Sequence, residues 1–263
     1  MNRTLDQAWH RAAYLTLQQL RGRPVGRFIR HLRARERLDR GEFQRLIRKE
    51  LQEQLCYAHA KVPLYSTGAW RAAKTQPSEI AAWPVLERQT IKTRANELHA
   101  RRLLPSSFYR YSSASTGEPV RVAWNPHGAG WGWANEYRVM LWHGIPPGVR
   151  TLLMWGSDQR LQDTLRNCRG IKTTELTPER LEEAAQYVLT RRPDLIMGLP
   201  SAIARLARYI RTNYPDAPHP LVPFAKIGGE QVYPFQREEL ERRLGAKVIQ
   251  FYGCTEMGPI AAE

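Results

Sequence analysis

The sequence predicts an α/β protein in which a mostly parallel sheet is covered by helices and preceded by a helical N-terminal region. Two observations predict this class. From about residue 150 onward, short apolar runs alternate with amphipathic segments of helical spacing, and only a few residues connect each segment with the next. Such alternation is typical of a parallel sheet with helices on its faces. The first hundred residues instead show helical spacing interrupted by loop-like connectors.

Two amphipathic helices are predicted in the N-terminal region. Residues 4–20 place apolar and small side chains on one helical face, and residues 43–60 repeat this pattern until Pro63 ends it. We therefore predict a basic, mainly helical region over residues 1–100 and an α/β domain over residues 101–263.

The α/β elements are predicted from residue 151 onward. A first strand, "TLLMW" (151–155), is followed by a helical pattern that begins at Asp158 and stops at Gly170. The later predicted strands are "PDLIMGL" (193–199), "FAKIGG" (224–229) and "KVIQFYG" (247–253).

The helices between these strands have clear end signals. Thr177 is a good N-cap, Pro178 suits the first helical turn, and Glu179 favours the positive end of the helix dipole. Pro200 begins the next helix, and Gly245 follows the last one. Since ligands of parallel sheets bind beyond the carboxyl ends of the strands, the loops after the strands are the expected functional loops.

Composition excludes several classes of protein. The chain of 263 residues has no apolar run of about 18 residues, the length that a membrane-spanning helix needs. The N-terminus lacks the pattern of a secretory signal. The three cysteines are widely spaced and odd in number, which argues against a disulfide framework or a zinc site. We therefore expect a cytoplasmic protein.

The net charge of +15 is concentrated near the N-terminus. Residues 1–50 contain 13 Lys and Arg against 5 Asp and Glu, a difference of +8. This excess fits a solvated, arginine-rich helical face, and it also fits a surface for nucleic acid, anionic lipid or an acidic protein. Because no helix-turn-helix, zinc-finger or RNP motif is present, nucleic acid is not the expected partner.

Two loops contain candidate ligand-binding residues. "SSASTGEP" (112–119) offers hydroxyls and backbone N–H groups, which suits either a phosphate cradle or a solvated turn. "YGCTE" (252–256) follows a predicted strand and joins an aromatic ring, a hydroxyl and a carboxylate. Its Tyr252 has a face for a base, Thr255 a hydroxyl for a phosphate, and Glu256 an oxygen for Mg²⁺. A core-edge tyrosine, a turn threonine and a solvated glutamate are the alternative interpretations.

These two motifs, with "GGE" (228–230) before the second, resemble the adenylate-forming enzymes. The resemblance is greatest to the phenylacetate–coenzyme A ligase branch and its capsule-biosynthesis relatives, and it covers roughly residues 45–263. Further similar segments are "YAHAKVPLY" (57–65), "WPVLERQTIK" (83–92) and "PDLIMGLPSAIARLARYI" (193–210).

The resemblance implies that ATP activates a carboxylic acid as an acyl-adenylate, which is then usually transferred to a thiol such as coenzyme A. It also implies a role for each matching residue. The β- and γ-phosphates would be wrapped by Ser112, Ser113, Ser115, Thr116 and Gly117. In the second half of the chain, Gly229 and Glu230 would lie beside the adenine and Tyr252 would stack on it. Thr255, two residues after Gly253 in the same nucleotide-binding motif, would bond the α-phosphate, and Glu256 would hold Mg²⁺.

Enzymes of this family continue beyond the "YGCTE" motif with a ribose-binding aspartate, a hinge and a small mobile domain that supplies a catalytic lysine. None of these is found before Glu263. The resemblance therefore implies an incomplete nucleotide-binding domain with little activity by itself.

An aromatic segment over residues 124–148 has two interpretations. Its spacing fits a helix that packs on the sheet, and its flat apolar rings also fit the walls of an acyl pocket. In the second case Trp131, Trp133 and Tyr137 would border the pocket.

Two functions of different classes therefore remain open. The first is the nucleotide-binding part of an acid–coenzyme A ligase. The second is a non-catalytic relative that binds a partner through the basic residues 1–50.

Overall fold

The computed structural model describes residues 3–68, 70, 80–81, 83–100, 106–112, 119–156 and 161–263. The chain divides into two compact units. One consists of residues 1–26 and 132–263 and is called the α/β unit below; the second unit consists of residues 27–131.

The helices predicted over residues 4–20 and 43–60 are present, and strands alternate with helices from residue 151 onward as the sequence predicts. The helices are α1 (Arg3–Leu20), α2 (Val25–Arg35), α3 (Arg40–Lys61), α4 (Arg88–Thr93), α5 (Pro126–Trp142), α6 (Leu161–Leu165), α7 (Pro178–Arg191), α8 (Pro200–Asn213) and α9 (Pro234–Leu244), with 3₁₀ turns at Pro63–Ser66 and Ala95–Glu97. The strands are β1 (Phe108–Tyr111), β2 (Arg121–Trp124), β3 (Thr151–Trp155), β4 (Cys168–Lys172), β5 (Leu195–Gly198), β6 (Phe224–Ile227), β7 (Lys247–Cys254) and β8 (Gly258–Ala262). None of the helices in the described part of the chain has the length and apolarity that crossing a membrane requires.

The α/β unit is built on a six-stranded sheet in the order β4-β3-β5-β6-β7-β8. All neighbouring strands are parallel except β7 and β8, which form an antiparallel hairpin. The predicted fold class is therefore confirmed.

The aliphatic core lies on one face of this sheet. Leu152, Met154, Ile196, Ile227 and Val248 point to that face and pack with apolar residues of α7, α8 and α9. Because successive side chains of a strand point to opposite faces, Trp155, Lys226 and Phe251 lie on the other face. That face is less uniformly apolar.

The predicted helix ends are confirmed in α7 and α9. The Thr177 hydroxyl accepts a hydrogen bond from the Arg180 backbone N–H at 3.4 Å, and Pro178 occupies the first turn of α7. Gly245 ends α9 with φ +68°, a left-handed conformation that glycine adopts at little cost.

The helix predicted from Asp158, a residue outside the described part of the chain, ends earlier than expected. The described helix α6 stops at Leu165, and Gly170 lies inside β4 rather than at a helix end. Asn167, with φ +61°, provides the left-handed residue that terminates the helical turn. Asparagine tolerates this conformation, so Asn167 ends the helix three residues before Gly170, where the pattern predicts its end.

Helix α1 belongs to the α/β unit, although the sequence groups it with the N-terminal region. Tyr14 is 1% exposed and lies edge-on to Trp133 and Tyr137, with ring centroids 6.1 Å away in each case. An Asp6 carboxylate oxygen lies 3.2 Å from an Arg150 guanidinium nitrogen. These contacts fix α1 beside the amino end of β3.

Candidate functional site

The strand order creates a topological switch point between β3 and β5. The chain passes from β3 to β4 on one side and then returns to β5 on the other side. In parallel sheets, ligands bind in the crevice beyond the carboxyl ends of the strands at such a point. Trp155 ends β3 there, with 37% of its surface exposed, and Gly198 ends β5.

The Gly228–Glu230 loop follows β6 at the same edge. A Cβ on Gly228 would lie 2.6 Å from Cε1 of Phe251, and a Cβ on Gly229 would lie 3.0 Å from Cη2 of Trp155. Gly229 also has φ +82°, which disfavours any side chain. The two glycines therefore allow the loop backbone to lie directly against the aromatic rings of β3 and β7.

Glu230 connects this loop to helix α8. Its carboxylate accepts hydrogen bonds from the Ser201 backbone N–H at 3.1 Å and from the Ser201 hydroxyl at 2.9 Å. A carboxylate at a helix N-terminus satisfies an otherwise unpaired N–H group and interacts favourably with the helix dipole. Glu230 thus holds the loop in place, and its position beside an adenine stays a prediction.

The "YGCTE" residues lie on the β7–β8 hairpin. Gly253 and Cys254 still belong to β7, and residues 255–257 form the turn. A Cβ on Gly253 would lie 2.6 Å from the carbonyl oxygen of Gly258 in β8, so glycine is required for this close approach. Tyr252 is 66% exposed, which leaves its ring accessible to a ligand.

Thr255 and Glu256 occupy the tip of this hairpin, where Thr255 is partly exposed and Glu256 is exposed. Mg²⁺ is commonly held by one or two carboxylates together with phosphate oxygens and water. Glu256 offers one such carboxylate, and its role in holding Mg²⁺ stays a prediction, as does the phosphate contact of Thr255. Within the described ranges, no group of three or more His, Cys, Asp or Glu side chains is arranged to hold a metal ion.

The hydroxyl-rich loop connects β1 and β2, an antiparallel pair in the second unit. At its base, the Ser112 backbone N–H donates to the Val120 carbonyl at 2.9 Å, and the Val120 N–H donates to the Ser112 hydroxyl at 2.9 Å. Ser113, Ser115, Thr116 and Gly117 lie outside the described residues. Their phosphate-binding role stays a prediction.

The predicted pocket residues on α5 have packing partners. In the second unit, Trp131 stacks on Phe28 with ring centroids 4.5 Å apart. In the α/β unit, the Arg166 guanidinium lies 4.2 Å from the ring centroid of Trp133. Tyr137 is 3% exposed, and burial raises its pKa to about 12. These contacts explain the rings as packing residues, while their role in an acyl pocket stays a prediction.

Two features of the carboxyl edge go beyond the candidate residues that the sequence indicates. Trp155 lies in an apolar strand pattern, which carries no signal of a site role. Lys226 is only 1% exposed and forms an ion pair with Glu136 of α5 inside the α/β unit. The signal for the second feature was a lysine in the apolar run "FAKIGG".

Comparison with known proteins gives a shared fold. No family model matches the chain, and no curated protein does. Among solved structures, 2-hydroxyisobutyryl-CoA ligase in complex with 2-HIB-AMP and CoA, in the thioesterification state, aligns with TM-score 0.65 and 22% identity over 85% of this chain and 51% of that chain.

Two further structures of this ligase are similar to the chain. An open conformation with 2-HIB-AMP and CoA has TM-score 0.65 and 22% identity over 85% of this chain and 56% of that chain. A postadenylation state with 2-HIB-AMP has TM-score 0.63 and 21% identity over 84% and 50%. The chain therefore spans about half the length of these structures and shares the fold of that half.

Proposed function

We propose that this chain is the nucleotide-binding part of an enzyme that activates a carboxylic acid with ATP and transfers the acyl group to coenzyme A. One observation carries the proposal. The neighbouring strands β6 and β7 bring the Gly228–Glu230 loop and the exposed ring of Tyr252 to the edge at which parallel sheets bind ligands. The solved ligase with the same fold was crystallised with an acyl-AMP and CoA, which supports this assignment.

In the proposed reaction, a carboxylate oxygen of the acid attacks the α-phosphorus of ATP and pyrophosphate leaves. The thiol of coenzyme A then attacks the acyl carbon, and AMP leaves. The residues of this chain position the nucleotide for these steps. Tyr252 stacks on the adenine, the Thr255 hydroxyl binds the α-phosphate, and Glu256 holds a Mg²⁺ ion, which neutralises phosphate charge.

Calorimetric titration with ATP and Mg²⁺ tests the nucleotide site. We expect Tyr252→Ala to weaken ATP binding about tenfold, because stacking of a base on an aromatic ring contributes roughly 1–3 kcal/mol. Tyr57→Ala is the matched control, since Tyr57 is a similarly exposed tyrosine on α3, with 52% of its surface accessible. No ATP binding by the chain, or equal binding by both variants, would contradict the proposal.

ATP–pyrophosphate exchange over a panel of carboxylic acids tests the activation step, and it is run on this chain and on a version extended by its downstream coding sequence, because little activity is expected of the chain by itself. An acid that stimulates exchange identifies the substrate class, and Glu256→Ala is expected to reduce that exchange. Glu238→Ala is the control, because Glu238 is an exposed carboxylate on α9 outside the motif. Equal exchange by the wild type and Glu256→Ala would contradict the assignment of Glu256 as the Mg²⁺ ligand.

A second candidate function is supported by helix α2. Its Phe28 and Leu32 are buried, whereas Arg27, Arg30 and Arg33 are exposed on the opposite side. Residues three apart lie on one helical face, so these arginines form a basic stripe along α2, in which the Arg27 guanidinium also lies 5.4 Å from the ring centroid of Phe28. Such a stripe fits the anionic groups of a nucleic acid, a lipid surface or an acidic protein, and this candidate function is that of a non-catalytic binding module.

Salt dependence separates the two candidates. Binding of a short duplex should weaken steeply between about 50 and 200 mM salt if phosphate contacts drive it. Replacing Arg27, Arg30 and Arg33 by Gln should abolish that binding, whereas replacing the exposed Arg192, Arg242 and Lys247 by Gln is the charge-matched control. Equal losses in both triple variants would indicate only a response to net charge.

A further inference from the structure

A buried ion pair lies beneath the carboxyl edge of the sheet. Lys226 is in the strand β6, between β5 and β7, and its side chain is 1% exposed. Its ammonium group donates to a carboxylate oxygen of Glu136 on α5, whose side chain is 10% exposed. Interior strands of parallel sheets are normally apolar throughout, so a lysine at this position needs an explanation.

Stability alone does not explain the pair. Removing two charges from water costs several kcal/mol, and apolar residues of similar volume commonly stabilise a core as well or better. An ion pair in an otherwise apolar strand is therefore better explained by the positioning of neighbouring side chains than by a gain in folding free energy.

The contacts of Lys226 lead to the candidate site. Its ammonium nitrogen lies 4.0 Å from the ring centroid of Phe251 in β7, within the range of a cation–π interaction. Phe251 stacks on Trp155, with ring centroids 6.4 Å apart and an interplanar angle of 28°. The same Phe251 ring lies against the backbone of Gly228, and Trp155 lies against that of Gly229.

The geometry points to the Glu136–Lys226 pair as a positioning element of the nucleotide site. The carboxylate of Glu136 fixes the ammonium of Lys226, the ammonium orients the ring of Phe251, and this ring sets the positions of Trp155 and the Gly228–Glu230 loop. This inference rests on the proposed nucleotide function of that edge. Both residues act through Phe251 and touch no reacting atom.

The test replaces both charges by apolar side chains of similar length, as Glu136→Met with Lys226→Met. A single replacement would leave an unpaired buried charge, whereas the double variant avoids this cost. We expect its melting temperature to equal or exceed that of the wild type. Its ATP affinity should fall about tenfold, because small displacements of positioning groups have large effects on ligand geometry.

Trp155 supplies a readout that does not depend on ATP. The chain has eight tryptophans, so the emission of Trp155 is obtained as the difference between each protein and its Trp155→Phe counterpart. We expect this difference spectrum to shift in the Glu136→Met/Lys226→Met variant. The matched control is Asp6→Met with Arg150→Met, an ion pair of 3.2 Å at the opposite end of β3. It should leave the ATP affinity and the Trp155 emission unchanged.

Unchanged ATP affinity in the Glu136→Met/Lys226→Met variant would overturn the inference, as would an equal loss in the control. An ATP affinity close to that of the wild type in the single variant Lys226→Arg, which keeps the charge beside Glu136, would support it. If the wild-type protein does not bind ATP, the proposed function fails. The Trp155 emission then tests the positioning role by itself. A shift in the Glu136→Met/Lys226→Met variant and not in the control supports this role, and the absence of a shift overturns it.

Discussion

The amino and carboxyl ends of the parallel strands in the α/β unit differ in which side chains are paired and which are exposed. At the amino ends, Asp6 pairs with Arg150 at 3.2 Å, and Asp194 accepts from the Arg150 backbone N–H at 3.1 Å. At the carboxyl ends, Trp155 and Tyr252 keep 37% and 66% of their surfaces exposed. Polar groups close the amino edge, while the carboxyl edge leaves flat apolar rings accessible.

This difference indicates that the amino edge of the sheet mainly stabilises the fold, while the carboxyl edge is accessible to a ligand. Helix α1 closes the amino edge, with the Asn167 side-chain amide donating to Asp6 at 3.4 Å. The carboxyl edge is instead shaped by glycines that allow close backbone approach, such as Gly228 and Gly253. Substitutions at the first edge should therefore change stability, and substitutions at the second should also change ligand binding.

The largest expected effect is that of Gly198→Ala at the carboxyl end of β5. A Cβ at this position would lie 2.1 Å from the carbonyl oxygen of Met154 in β3, and neither backbone can move without breaking the sheet. We expect a loss of about 3 kcal/mol in the free energy of unfolding, measured by denaturant titration.

Gly156→Ala is the matched control for this substitution. Gly156 follows β3 at the same edge, and a Cβ there would have no neighbour within 4 Å. A similar loss in both variants would show that the backbone approach between β3 and β5 is not the cause.

Thiol reactivity gives a second contrast between the edges. Cys168 begins β4 at the amino edge and is buried, and burial raises the pKa of its thiol. Cys254 ends β7 at the carboxyl edge and is partly exposed. Because the thiolate is the reactive species, we expect Cys254 to react with a thiol reagent about a hundredfold faster than Cys168.

The measurement uses Cys56→Ser protein, since Cys56 is exposed on α3. Peptide mapping after short labelling times distinguishes the two remaining cysteines. ATP with Mg²⁺ should slow the labelling of Cys254 if the nucleotide binds beside Thr255. Faster labelling of Cys168 would contradict the proposed difference between the edges.

Local signals account for most of what the sequence predicted. Thr177, Pro200 and Gly245 mark helix ends through caps and fixed backbone angles, which depend only on neighbouring residues. Strand β8 was not predicted, because the glycine and proline at its start are typical of a turn. Pairing with β7 at the edge of the sheet allows Pro259 in a strand, since proline lacks only the N–H group.

The candidate site was predicted less completely than the fold. The sequence shows that Gly228–Glu230 follows a strand, but not that Glu230 would bond Ser201, which is 29 residues away. The pair of Glu136 and Lys226 joins residues 90 apart in the chain. Such partners are chosen by the packing of α5 on the sheet, which no local pattern encodes.

The smallest expected effect is that of Asp6→Ala at the amino edge, a loss of about 2 kcal/mol in the free energy of unfolding. The side chain of Asp6 is 13% exposed and accepts from both Arg150 and Asn167, so its removal takes one hydrogen-bond acceptor from each of these partly buried side chains. Denaturant titration measures the loss, and calorimetry with ATP and Mg²⁺ measures nucleotide affinity, which should not change. Glu238→Ala, an exposed carboxylate on α9, is the control for removing one negative charge. A parallel loss of stability and ATP affinity in Asp6→Ala would mean that the two edges respond as one structure, and that the amino edge helps to shape the nucleotide site.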